Sequence, residues 1–436
     1  MPKPIDRAAS SRFLWGVATS AHQIEGDNRA SDWWQWESEG HIEGGVRSGQ
    51  ATDHRRLFRE DLKNAAALGL TSYRFSVEWA RIEPVSGQFD LAALDWYAEL
   101  VSECERNGLK PLVTLHHFTL PVWVAREGGF LWDEMPARFL AYVEQVIQRI
   151  GSRVRLWCTI NEPLVLVTGG YLGKFMPPAV FSPAQASQVC RQQLKCHVMA
   201  YDLLHARLGA DIQVGVAHNM VDFMADRAWH PLERFVAFLL HRFYNLAWLD
   251  ALTGRKQHFG VPTLMPIAPQ LSEARGRRTI DFIGVNYYTK GYVQWRPRDS
   301  SSATTPDLPI GVAFSRRGEV QSDLGWAIHP QGFRRMLRCA ARYGLPLYVT
   351  ENGIADQDDQ LRSEFLRQHL DALLAEKARG LDIRGYYHWS LLDNFEWIKG
   401  FKPRFGLYRV DYTTFSRTLT RSGETYRDLI SRFSPN

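Results

Sequence analysis

Residues 136–162 read PARFLAYVEQVIQRIGSRVRLWCTINE, and two periodicities meet inside that stretch. Phe139, Tyr142, Val143, Val146, Ile147 and Ile150 fall on one helical stripe, and Gly151 stops it. Leu156–Ile160 follows as a compact apolar run of strand length, closed by the polar pair Asn161-Glu162. The same alternation continues in both directions. Further strands are predicted at Phe13–Thr19, Ser72–Ser76, Pro111–His116, Gln213–Ala217, Phe282–Asn286, Leu347–Thr350 and Gly385–Trp389. Between two of them Leu94, Tyr97, Ala98, Val101 and Cys104 keep helical spacing, with Asp90 placed to cap the helix and Gly108 to end it. Eight strands alternating with helices over 436 residues, without a linker, predict an α/β fold, a single (β/α)8 TIM barrel domain spanning 1–436. A doubly wound open sheet would want a glycine-rich phosphate loop after its first strand, and GVATSAHQIEG at 16–26 does not supply one. The stretch Arg296–Arg317, rich in Ser, Thr, Pro and Arg, reads as a long surface loop.

Composition excludes several classes of function. The 52 basic and 47 acidic residues leave a net charge of +5 with no dense basic block, which argues against a nucleic-acid groove. No apolar run is long enough for a membrane span, and the first residues lack a signal-peptide core, so a cytoplasmic protein is expected. Five cysteines without a CxxC pair read as reduced thiols. The 15 Trp, 16 Tyr and 23 Phe mostly fill core; a few, at strand ends, are placed to line a pocket that stacks on flat apolar rings.

A barrel demands its chemistry at the C-terminal ends of its strands. Polar residues gather there: Gln23, Arg74, His116-His117, Asn161-Glu162, Asn286 and Glu351, with Trp389 closing the eighth strand. Glu162 in TINEP and Glu351 in YVTENG are carboxylates directly after strands four and seven, which lie across the barrel from each other. Taken singly, each reads as a solvated loop residue, and Asn352-Gly353 as a turn. Taken together they match the pair that cleaves glycosidic bonds, one group protonating the leaving oxygen and the other attacking the anomeric carbon, roughly 5–5.5 Å apart in retaining enzymes. Arg74 is placed to pair with Glu351 and hold it ionised as nucleophile. The nearby charge would then keep Glu162 protonated as general acid. Asn161 is placed to bond a sugar 2-hydroxyl.

These residues sit in longer motifs: FLWGVATSAHQIEG, YRFSVEWARIEP, TINEP, GVNYY, GWAIHP, VTENG, and HWSLLDNFEW followed by RFGLYRVDY. In this order, from residue 13 to residue 412, they resemble glycoside hydrolase family 1, the β-glucosidase and β-galactosidase family. The resemblance implies Glu162 as acid/base and Glu351 as nucleophile. It implies that Gln23, His117, Asn161, Glu396 and Trp397 bond the hydroxyls of the nonreducing sugar. Trp389 would be the stacking platform, Phe405 would border the 6-position, and Asn286 and Tyr288 would lie near the nucleophile. The Glu396-Trp397 pair implies an unphosphorylated glycoside, because members that take 6-phosphorylated sugars replace it. No cofactor and no metal are implied; the partner is a small-molecule β-glycoside or oligosaccharide, with no nucleic acid and no membrane.

The chain departs from the family at His116-His117-Phe118-Thr119-Leu120-Pro121, where His117 keeps its place but its neighbours change. Adjacent His116 and His117 point to opposite faces and make a poor metal site. SDWWQWE, after QIEG, resembles the archaeal-type branch and transferase-like members. Two other functions compete: a transglycosidase sharing both glutamates, and a non-catalytic sugar-binding protein, disfavoured because both glutamates are kept. The aglycone is expected to be set by loops at Tyr171–Pro178 and Arg296–Trp326.

Overall fold

The computed structural model describes residues 13–255, 277–295 and 310–433. Eight parallel strands close into a barrel: β1 (Leu14–Ala18), β2 (Ser72–Ser76), β3 (Lys110–His116), β4 (Leu156–Asn161), β5 (Gln213–Asn219), β6 (Phe282–Asn286), β7 (Leu347–Asn352) and β8 (Ile383–Trp389). Each strand pairs with its neighbours in sequence, and β8 closes on β1 with Ala18 opposite Trp389. The eight expected strands are all present, displaced at most a few residues at their ends.

The helices follow the apolar stripes. Met135–Ile150 buries Phe139, Tyr142, Val143, Val146, Ile147 and Ile150, each worth about 1.5–3 kcal/mol when removed from water. Tyr142 Oη donates to Val77 O at 3.1 Å and Leu115 O at 3.0 Å, tying this helix to the ends of β2 and β3. Leu91–Arg106 begins where Asp90 accepts from Ala93 N at 3.1 Å, and Gly108 follows its end at a φ of 69°.

The barrel ladder is irregular at three strand pairs, one of them β7–β8, whose register shifts between Leu347 and Tyr348 and between Val349 and Asn352. The β4–β5 register shifts between Cys158 and Asn161, and the β6–β7 register shifts between Val349 and Glu351. Such bulges re-aim side chains, and the latter two fall beside the two glutamates.

The reading of Arg296–Arg317 as loop needs correction. Ile310–Ala313 is a strand, antiparallel to Lys290–Trp295, which itself runs parallel to Asp222–Ala225; residues 296–309 lie outside the described residues. Ile-Gly-Val-Ala at 310–313 is too short a pattern to reveal a strand that exists by pairing with a segment distant along the chain. Among the described residues no helix is long and apolar enough to cross a membrane, and all five cysteines are free and buried.

Candidate active site

Every strand but β5 supplies, in itself or just beyond its end, a residue singled out from sequence. Arg74 rises from β2, fully buried, and its guanidinium organises the centre. Nη1 donates to Glu351 Oε1 at 2.6 Å and to Thr350 O at 3.0 Å; Nη2 donates to Asn161 Oδ1 at 2.7 Å; Nε donates to Thr114 Oγ1 at 3.2 Å. Tyr288 Oη donates to the other oxygen of Glu351, Oε2, at 2.7 Å. Glu351 itself lies inside β7, not after it as the sequence implied, because the bulge turns its side chain inward before pairing ends.

Glu162 follows β4 with φ 44° and ψ 59°, a left-handed conformation that costs a non-glycine residue of order 1–3 kcal/mol. The twist starts the helix Pro163–Tyr171 and leaves the carboxyl beside Asn286 and Asn219. Their Nδ2 atoms donate to Glu162 Oε1 at 2.9 and 3.0 Å. Burial, and then the charge of Glu351, push the Glu162 pKa from 4.5 up to about 8. Asn286, expected near Glu351, sits opposite it in the β6–β7 register, and its side chain serves Glu162 and Asn161 Oδ1 (3.2 Å) while accepting from Thr350 Oγ1 at 2.6 Å.

A second group of side chains faces the same space. His117 stacks on Trp389 (centroids 6.0 Å, 25°) and on Trp397 (6.1 Å, 16°), and its Nε2 lies 3.2 Å from Asn161 Nδ2. Its Nδ1 is buried and, among the described residues, has no hydrogen-bond partner. Burial first, and then the charge of Arg74, hold its pKa well below the ordinary histidine range, so the ring is neutral. Trp389 Nε1 donates to Glu396 Oε1 at 3.0 Å. Burial raises the Glu396 pKa to about 8, opposed by that hydrogen bond and assisted by the charge of Glu351. Gln23 sits on the short helix Ala21–Ile24; its Nε2 donates to Asn394 Oδ1 and Phe395 O, both at 2.9 Å, and its Oε1 accepts from Ser20 Oγ at 2.6 Å. Phe405 packs edge-on against Tyr288, with centroids 6.2 Å apart.

The departures around His117 find a physical account. Phe118 takes φ 72° and packs edge-on against Trp397 at 5.2 Å, while Thr119 Oγ1 donates to the buried Glu78 carboxylate at 3.0 and 2.9 Å. His116 turns away, against Phe130 at 5.1 Å. Among the described residues no group of three or more His, Cys, Asp or Glu side chains is arranged to hold a metal ion.

Two functional-looking residues escaped sequence reasoning: Asn219, bonded to Glu162, and Tyr244, whose Oη donates to Asn219 Oδ1 at 2.9 Å. Asn219 ends β5, so the strand-end rule would have found it had that strand been carried past Ala217. Tyr244 lies in a π-helical turn, His241–Leu246, and carried no sequence signal.

The arrangement suits a polar ring of substrate: a charge-paired carboxylate, a carboxyl that keeps its proton near neutrality, and flat aromatic faces beside hydroxyl-seeking groups. Comparison with known proteins points the same way. The family model described as "Glycosyl hydrolase family 1" matches residues 7–434. Beta-glucosidase A of Thermotoga maritima is 31% identical over 443 residues, 96% of each chain. A beta-galactosidase of Pyrococcus woesei is 29% identical over 502 residues, 96% of each chain. Among solved structures, a beta-glycosidase from Pyrococcus horikoshii superposes with a TM-score of 0.85 at 38% identity, over 96% of this chain and 93% of that one. The Thermotoga maritima beta-glucosidase in complex with glucoimidazole gives 0.88 at 28% identity, over 97% and 98%.

Proposed function

Because the chain belongs to glycosyl hydrolase family 1, we propose that it is a retaining β-glycosidase that works on unphosphorylated β-glycosides, with β-glucosides first. It is a glycoside hydrolase of the β-glucosidase type. The observation that carries the finer reading is the unequal treatment of two carboxyls in one hydrogen-bonded cluster. Glu351 is ion-paired with Arg74 at 2.6 Å, whereas Glu162 receives, among the described residues, only amide donors and has its pKa raised to about 8.

Glu351 then attacks the anomeric carbon as Glu162 gives its proton to the leaving oxygen, and the bond to the aglycone breaks. In the second half water attacks the glycosyl–Glu351 ester, Glu162 takes the water proton, and Glu351 leaves as carboxylate. Asn161, held by Arg74 and adjoining His117, is assigned to the 2-hydroxyl. His117, Gln23, Glu396 and Trp397 are assigned to the other hydroxyls, Trp389 to the sugar face and Phe405 to the 6-position. Glu396 offers no positive charge to a 6-phosphate, and when ionised it repels one.

The test is kcat/KM across aryl β-glucoside, β-galactoside, β-fucoside and 6-phospho-β-glucoside, with an α-glucoside as control. Turnover of unphosphorylated β-glycosides, abolished by Glu351→Ala in a folded protein, is expected. Activity confined to the phosphorylated or α-linked substrate would overturn the reading of the pocket. The same assays with an acceptor alcohol separate hydrolysis from glycosyl transfer.

A further inference from the structure

Glu162 receives both of its side-chain hydrogen bonds on one oxygen. Asn286 Nδ2 and Asn219 Nδ2 donate to Oε1, and among the described residues no donor reaches Oε2. A carboxyl whose Oε1 accepts two N–H groups carries its proton on Oε2, so the direction of the acid is set by which atoms the two amides present. Asn286 is oriented by Thr350, which donates to its Oδ1. Asn219 is oriented by Tyr244, whose hydroxyl donates to its Oδ1 and so turns its NH2 toward Glu162.

Tyr244 is itself held in place. It belongs to the π-helical turn His241–Leu246, a geometry that often marks functional sites. The next residue, Asn245, is buried and bonded to Val221 in both directions, accepting from Val221 N at 3.0 Å and donating to Val221 O at 2.8 Å. That clamp fixes the turn to the segment just after β5, and the Tyr244 ring packs edge-on against Phe223 at 5.7 Å.

We propose that Tyr244 is a positioning residue for the acid step: through Asn219 it fixes which oxygen of Glu162 holds the proton. The inference rests on the reading of Glu162 as general acid. Without the hydroxyl the Asn219 amide is free to turn over and present Oδ1 to the acid, drawing the proton away from the leaving group. The carboxylate form of Glu162 also loses an N–H donor, which raises its pKa.

The experiment compares wild type, Tyr244→Phe, Asn219→Ala, the double variant and Glu162→Gln on a phenyl and a dinitrophenyl glycoside of the sugar that wild type turns over, across pH. Phenolate needs the acid and dinitrophenolate does not. General-acid catalysis is worth about 10²–10⁴-fold, and Tyr244→Phe is expected to forfeit roughly tenfold of it in kcat/KM on the phenyl glycoside. It should stay within about twofold on the dinitrophenyl glycoside and move the alkaline limb upward in pH, the sign that loss of a donor to the carboxylate dictates. In the Asn219→Ala background the same substitution should do nothing further, because its partner is gone. Equal losses on both substrates with an unmoved alkaline limb, or a full additional loss in the Asn219→Ala background, would overturn the relay. If Glu162→Gln leaves phenyl glycoside hydrolysis intact, the acid assignment fails instead.

Discussion

Arg74 makes four hydrogen bonds from a fully buried position, and one of them balances the charge on Glu351. Arg74→Met removes the cation and leaves a buried carboxylate unpaired, a change that costs about 3–5 kcal/mol. We expect thermal denaturation to register that loss, and kcat/KM to fall by at least ~10²-fold, since a misplaced nucleophile forfeits the gain of orientation. Glu162 gives a pH prediction. The acid acts while protonated, so kcat/KM should fall as pH rises through about 8. Glu162→Gln should remove that limb along with most activity on poor leaving groups. At this scale the glutamates and Asn161 were legible because each stands at a strand end in a distinctive motif, and Arg74 because it is a charge inside a barrel strand. The partners of Glu162 were less so. Asn286 does lie opposite Glu351 in the barrel register, but its amide bonds Glu162, and a strand-end position does not say which neighbour an amide will meet. Tyr244 was invisible because a π-helical turn has no periodic signature.

Strands and loops aim these side chains, and close packing between them leaves little slack. A Cβ added at Gly353 would lie 2.0 Å from Trp389 O, where β7 and β8 deliver Glu351 and Trp389 side by side. Gly353→Ala must therefore push the two strand ends apart. Overpacking of this kind costs about 1–3 kcal/mol, and we expect a lower Tm together with a kcat/KM loss larger than the stability change alone would bring. From sequence, Asn352-Gly353 looked like an ordinary turn; its glycine is needed for close approach, at a negative φ. The strands themselves were readable because barrel strands are short apolar runs between glycine and capping signals. Their exact ends were not, because the bulges at Cys158–Asn161 and Val349–Glu351 depend on pairing with neighbours far along the chain.

Across the whole molecule the eight-fold alternation made the barrel legible, while the small three-stranded sheet was not, being built from three short segments distant in sequence. The site also loads the fold with charge that it tolerates only in protonated form. Glu162 and Glu396 both have folded pKa values raised from 4.5 to about 8. A group raised in this way contributes stability that is complete below the unfolded value and is lost as pH rises through the folded one. The Tm of the free protein should therefore decline between pH 5 and 9, and replacing both residues by glutamine should flatten that decline. A slope unchanged by the double substitution would remove the two carboxyls as its source.

Covalent bond formation by Glu351 is open to direct trapping. The protein is incubated with a 2-deoxy-2-fluoro-β-glucoside bearing a dinitrophenyl leaving group, digested with pepsin and sequenced by mass spectrometry. A fluoroglycosyl adduct is expected on the peptide containing Thr350-Glu351-Asn352, absent in Glu351→Ala. An adduct on Glu162, or release of fluorosugar with inverted configuration and no adduct, would contradict the assignment of Glu351 as nucleophile.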